Sequence, residues 1–275
     1  MNDHPSIPPQ SAFSRSFGAG PRPVLAIHCS LAHSGAWRGL GSVMAEEATL
    51  HAFDMLSHGR SPDWDGAGVF QLRNADLALA LLADLDASEA ASLDLVGHSF
   101  GATVALAVAQ RRPELVRSLT LIEPVLFAAA GQIEPKSLVQ MREEHLEIRD
   151  AYAQGQLEHA TRLFNRAWGA GHPKWPDLPE QSRAAMMRSF PAVMDCDKQV
   201  YEDEAGLVAE GQLETLSVPV LVVDGSESQP IMQVVTRALM QRLPDGRHVR
   251  IAGAGHMAPI THAADVADHL RQFWT

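Results

Sequence analysis

Ser99 lies in the run Gly97-His98-Ser99-Phe100-Gly101. A serine with glycine two residues away on either side is the pattern of a nucleophile elbow, G-x-S-x-G, a turn too tight for neighbouring side chains that lifts the hydroxyl clear of the backbone. A serine hydroxyl is a poor nucleophile until a base within hydrogen-bond reach takes its proton, and that base must be held by a third group. The chemistry in prospect is acyl transfer, in which the hydroxyl oxygen attacks a carbonyl and two backbone N–H groups stabilise the oxyanion that forms. His256, in Gly253-Ala254-Gly255-His256-Met257, is the candidate base. Of 13 histidines it alone combines a late position, a loop after the last strand-like run and flanking glycines. The expected oxyanion donors are the N–H of Phe100, next after the nucleophile, and that of Ser30, in the loop after the first buried run.

These groups need elements to hold them. Leu93-Asp94-Leu95-Val96 is short and β-like, and Ala102 to Ala109 is small, apolar and compatible with a helix, so the serine falls at a strand-to-helix junction. The continuous apolar run Pro23 to His28 reads as a strand covered on both faces. Leu50–Asp54, Leu119–Pro124, Pro219–Gly225 and His248–Ile251 give further strands. Between them, helices are expected over about 36–47, over the amphipathic stretch carrying Leu72, Ala75, Leu79, Leu82 and Leu85, and over 231–243 and 262–273. Alternating strands and helices imply parallel βαβ units with helices on both faces. The alternation breaks between Pro124 and about Gly211, where Met141–Tyr152, Leu157–Trp168 and Gln181–Arg188 read as helices interrupted by Pro173, Pro176 and Pro179. Residues 1 to about 22 read as a loose lead-in, with an edge strand within Ser11–Phe17.

A chain of 275 residues, 46% hydrophobic and 20% charged, suits one large α/β domain with an insertion. The net charge of -11 argues against nucleic acid or an anionic membrane as partner, because both select basic patches. The two cysteines, Cys29 and Cys196, argue against a disulfide framework and suit a reducing compartment. Met1-Asn2-Asp3-His4-Pro5 does not open a signal peptide, and no apolar run approaches the roughly 18 residues of a membrane span, so a cytoplasmic protein is expected. There is no H-E-x-x-H, Cys-x-x-Cys pair, G-x-G-x-x-G or P-loop, so no metal or nucleotide cofactor is expected.

His28 with Trp37 in the following loop, the loop Ser57-His58-Gly59-Arg60-Ser61, the elbow and the late Gly-Ala-Gly-His-Met together make the chain resemble the α/β-hydrolase superfamily over nearly its whole length. The resemblance implies a mostly parallel sheet flanked by helices. Its core would span 23–126 and 206–275, with a helical cap inserted over 127–205. It also implies a triad in the order Ser…acid…His. Two positions depart from the pattern. Cys29 replaces the glycine that relatives usually carry after His28, which raises the question of a reactive thiol. Ser228 stands where relatives most often place the acid. Glu123, at the end of the strand after the elbow helix, is then the leading acid. Glu227 is its rival and Asp224 a third candidate, while Glu123 could alternatively anchor the start of the cap. Trp64, Phe127, Trp168, Met194 and Met257 are candidates for an apolar acyl pocket, suited to a small or medium apolar ester.

The activity implied is cofactor-independent hydrolysis of carboxylic esters, lactones included. The same triad would also serve a carbon–carbon bond hydrolase for ring-cleavage products, a cofactor-free perhydrolase, or a receptor-like binder with little turnover. The expected partner is a small-molecule ester or lactone, and the expected state a monomer or homodimer.

Overall fold

The computed structural model describes residues 12–86, 92–171 and 173–275. Most of the expected lead-in, residues 1–11, lies outside the described residues. The strands are β1 (Ser14–Phe17), β2 (Arg22–Ile27), β3 (Ala48–Phe53), β4 (Leu93–His98), β5 (Val116–Ile122), β6 (Val220–Gly225) and β7 (Gly246–Ile251). They form a seven-stranded sheet in the order β1-β3-β2-β4-β5-β6-β7. Only the β1–β3 pair is antiparallel, so β1 is the edge strand expected within Ser11–Phe17.

The period of two along each strand sorts the core into two layers. Leu25, Ile27, Leu95, Leu119, Leu121, Val220 and Val222 face one way and pack with the helices α2 (Phe70–Asp86), α3 (Phe100–Arg111) and α10 (Pro230–Met240). Val24, Ala26, Val96, Ile122, Leu221 and Val223 face the other way, against α1 (Arg38–Val43) and α12 (Ala263–Trp274). This two-sided burial explains why the central strands read as unbroken apolar runs. Asp94 is a polar exception within the apolar run of β4. It is wholly buried, and its carboxylate accepts from Arg22, Arg117 and Ser118.

Three expected helices differ in outline. The stretch 36–47 is a 3-10 turn at Ser34–Trp37 followed by the short α1, because Gly39 and Gly41 lower helix propensity and the chain must turn into β3 at Ala48. The stretch 141–152 is split at His145 into α5 (Pro135–Glu144) and α6 (Leu146–Ala153).

Between β5 and β6 the described residues contain helices and turns, namely α4 (Phe127–Ile133), α5, α6, α7 (Leu157–Trp168), α8 (Glu180–Asp195) and α9 (Asp197–Tyr201). Helix α8 runs beyond the expected end at Arg188 and carries Pro191 inside it. Burial of Phe190 and Ala192 there outweighs the one hydrogen bond a proline removes. After β7 a short helix α11 (Ala258–Thr261) leads into α12. Among the described residues no helix is long and apolar enough to cross a membrane.

Candidate active site

Ser99 is the single residue between β4 and α3, with φ 56° and ψ −117°. That region strains any residue with a side chain, so the surroundings must hold it. The Ser99 N–H donates to the Ile122 carbonyl at 2.9 Å, and the Ser99 carbonyl accepts from the Ala102 N–H at 3.1 Å. The flanking glycines are required by close approach. A Cβ on Gly97 would lie 2.4 Å from the Gly101 carbonyl oxygen, and one on Gly101 would lie 2.3 Å from the carbonyl oxygens of Ile27 and His28. The helix thus begins directly beneath the hydroxyl, with its positive end towards it.

The Ser99 hydroxyl is 2.8 Å from His256 Nε2, and His256 Nδ1 is 3.0 Å from Glu123 Oε2. Because a carboxylate only accepts, Nδ1–H donates to Glu123 and Nε2 is left as the acceptor for the serine proton. Glu123 follows β5 with φ 51° and is completely buried. Its backbone N–H donates to the Val223 carbonyl at 2.8 Å, and its Oε1 accepts from the Gly225 N–H and the Ser228 hydroxyl, both at 2.6 Å. The carboxylate therefore sits on β5 while Ser228, at the position where relatives most often have the acid, donates to it from beyond β6.

The other two carboxylates are occupied elsewhere. Glu227 is exposed, and its backbone N–H donates to the Ala254 carbonyl at 2.9 Å. Asp224 is paired with Arg250 at 2.7 and 2.8 Å and with His248 at 3.2 Å. Burial opposes its ionisation, but Arg250 and His248 prevail and hold its carboxyl down at about 2. Neither meets His256 among the described residues.

Ser30 and Phe100 both line the cavity into which Ser99 opens. Neither backbone N–H has a protein acceptor among the described residues. Two buried histidines fix the loop that carries Ser30. The Met55 N–H donates to His28 Nε2 at 3.0 Å, so His28 Nδ1–H donates to the Cys29 carbonyl at 2.8 Å. The Leu31 N–H donates to His58 Nε2 at 3.2 Å, so His58 Nδ1–H donates to the Leu56 carbonyl at 2.8 Å, and Leu31 itself is held at φ 61°. His98 supports the loop of His256, its Nε2–H donating to the His256 carbonyl at 2.7 Å. Burial, then charge on neighbouring histidines, lowers His28 and His98 to about 3, while burial alone dominates at His58 and lowers it to about 4. All three act as neutral hydrogen-bonding struts. Each stands in a motif visible in the sequence, but its work as a strut is not, because what a histidine bonds depends on backbone brought in from other strands.

The cavity has a volume of about 820 Å³. Phe127, Trp168, Met194 and Met257 line it. The Trp168 ring meets the His256 ring edge to face at 4.6 Å and stacks on Phe127 at 5.9 Å. Trp64 is a correction: it lies outside the lining, packs on Phe70 at 5.1 Å and donates its indole N–H to the Ala67 carbonyl at 3.1 Å. It follows the turns over 56–61, whose course the sequence does not encode. The lining is also less apolar than expected, since it includes Arg15, Arg60, His145, Arg149 and Tyr201. Cys29 reaches the lining but is only 3% exposed, and burial raises its thiol to about 12, so the thiolate form is suppressed. Cys29 and Cys196 are both free thiols.

The family model of the alpha/beta hydrolase fold matches residues 22–263, and the chain belongs to that family. It is 30% identical over 264 residues to the 2-hydroxymuconate semialdehyde hydrolase of Pseudomonas sp. (strain CF600), covering 93% of this chain and 87% of that one. It is 26% identical over 263 residues to the pimeloyl-[acyl-carrier protein] methyl ester esterase of Xanthomonas campestris pv. campestris (strain B100), covering 93% and 96% of the two chains. Among solved structures, the one described as Est816, an N-acyl homoserine lactone degrading enzyme, superposes with a TM-score of 0.71 at 20% identity, covering 95% of this chain and 96% of that one.

Proposed function

We propose that this hydrolase cleaves carboxylic esters or lactones through an acyl-enzyme on Ser99. The observation that carries the reading is the continuous hydrogen-bond chain from Ser99 through His256 to the buried Glu123, opening on a cavity beside two unpartnered backbone N–H groups. As Ser99 Oγ attacks the substrate carbonyl, its proton passes to His256 Nε2, and the Glu123 carboxylate stabilises the imidazolium. The carbonyl oxygen becomes an oxyanion that accepts from the N–H groups of Phe100 and Ser30, each worth about 2.7–4 kcal/mol of barrier in comparable sites. The tetrahedral intermediate collapses, His256 Nε2–H protonates the leaving alkoxide, and an ester to Ser99 remains. Water then enters, gives a proton to His256 and adds to the acyl carbon, and the acid leaves as the proton returns to Ser99.

In this reading the segment 127–205 is a cap that shapes the acyl pocket with Phe127 and Trp168 and excludes bulk water from the ion pair. The test is a panel of p-nitrophenyl esters and lactones with the wild type and Ser99→Ala. Turnover confined to the wild type is expected, and equal activity in both would overturn the serine mechanism. The similarity to the Pseudomonas 2-hydroxymuconate semialdehyde hydrolase favours a second reading, carbon–carbon bond hydrolysis, so that semialdehyde belongs in the panel. Preference for it over every ester would select the second reading.

A further inference from the structure

Two arginines in the cavity lining are unaccounted for by the ester chemistry. Arg15 on β1 and Arg60 in the loop after β3 both line the cavity that holds Ser99. Their guanidinium carbons lie 4.8 and 4.1 Å from the centre of the same ring, Phe13. Among the described residues neither pairs with a carboxylate, and the Arg15 Nε is buried without any hydrogen-bond partner. The third arginine of the lining, Arg149, is paired with Asp197 at 3.1 Å.

The platform is rigid. The Phe13 N–H donates to the Ser61 hydroxyl at 2.9 Å, the Phe13 carbonyl accepts from the Asp54 N–H at 2.8 Å, and Arg15 is held in register opposite Ala52. Asp54, the nearby carboxylate, is spent on the backbone N–H groups of Ser34 and Arg60 at 2.7 and 2.8 Å. A guanidinium stacked on an aromatic face keeps its N–H edge free for the in-plane, two-point recognition of a carboxylate. In a chain of net charge -11 the long-range field repels anions, so a local cation pair facing a substrate cavity needs its own reason.

Building on the esterase reading, we propose that Arg15 and Arg60 form an anion subsite that binds a carboxylate at the far end of the substrate. The preferred substrates are then monoesters of dicarboxylic acids, or lactones bearing a carboxylate tail.

The test pairs monomethyl esters of dicarboxylic acids, from glutarate to sebacate, with fatty acid methyl esters of matched chain length. The quantity read is the ratio of kcat/KM for the anionic over the neutral ester. The ratio is expected to peak at one chain length in the wild type and to fall about tenfold for each arginine replaced in Arg15→Gln and Arg60→Gln, the usual loss for one charge-assisted hydrogen bond. The double substitution to Lys, which keeps the charge but loses the planar two-point fork, is expected to recover only part of the ratio. A second arm measures binding of the corresponding dicarboxylates to Ser99→Ala by calorimetry, with and without the two Gln substitutions. An unchanged ratio at every chain length in the double Gln variant, or dicarboxylate binding indifferent to it, would overturn the proposal. If the wild type turns over neither ester series and a fluorophosphonate fails to label Ser99, the esterase reading falls, and the calorimetric arm still decides on the arginines.

Discussion

Replacing Glu123 by Gln removes one charge and almost no volume, yet the structure leaves the new amide no good orientation. Oε1 accepts from two donors, the Gly225 N–H and the Ser228 hydroxyl, both at 2.6 Å, while Oε2 accepts from His256 Nδ1–H at 3.0 Å. If the amide NH2 took the Oε1 place it would face the Gly225 N–H, which cannot turn away. The amide oxygen therefore keeps the Oε1 place and the NH2 points at His256 Nδ1. That nitrogen must then accept, the ring proton moves to Nε2, and the imidazole can no longer take the proton of Ser99. Loss of such tautomer control in a Ser-His-Asp triad costs about 10⁴-fold in kcat, which is about 5.5 kcal/mol of barrier. The assay is steady-state hydrolysis of the best ester from the panel, with Glu227→Gln as the companion variant. Glu123→Gln is expected to lose about 10⁴-fold in kcat with KM little changed, while Glu227→Gln, whose side chain is exposed, stays within about twofold. A loss below tenfold in Glu123→Gln, or a larger one in Glu227→Gln, would refute the assignment of the acid.

Stability should fall on mild acidification. His28, His58 and His98 are lowered to about 3, 4 and 3, so between their ordinary value and those values the unfolded chain binds protons that the folded one refuses. Their contribution is intact above about pH 6.5 and shrinks as pH falls, by about 1.4 kcal/mol per unit for each histidine. These three alone should make urea unfolding at pH 7.5 and 5.5 differ by roughly 4 kcal/mol, and equal stabilities would show that the struts are not held neutral. The two thiols should be silent: at pH 8 the folded protein should resist a thiol reagent with no loss of activity, and both should react once it is unfolded, since burial raises Cys29 to about 12 and Cys196 well above its ordinary value. Stoichiometric modification of the folded chain would contradict this.

The elbow and the late histidine were legible because each is a local pattern with a local cause. A turn of that tightness needs small neighbours at fixed spacing, and here the cause is the approach of Gly101 to β2 and of Gly97 to the start of α3. The strands were legible because burial on both faces writes itself as apolar runs. The break at His145 within 141–152 is not legible in the sequence, because it carries no glycine or proline. The meeting of Arg15 and Arg60 on Phe13 is not legible in the sequence, because residues 45 positions apart come together only through the pairing of β1 with β3 and the loop that follows it.

By itself, then, the chain's sequence determined the class of fold and singled out Ser99 and His256, the nucleophile and base proposed here. The choice among Glu123, Glu227 and Asp224 belonged to the tertiary structure. All three stand at strand ends within reach of a late loop, and their order along the chain is equally permissible. What separates them is the register of β5 against β6. It brings Glu123 beside Gly225 and Ser228 with its other oxygen towards His256, while Arg250 claims Asp224 and Glu227 is left in solvent. Hydrogen-bond partners supplied across a sheet, about a hundred residues away along the chain, follow from that register and not from any spacing in the sequence.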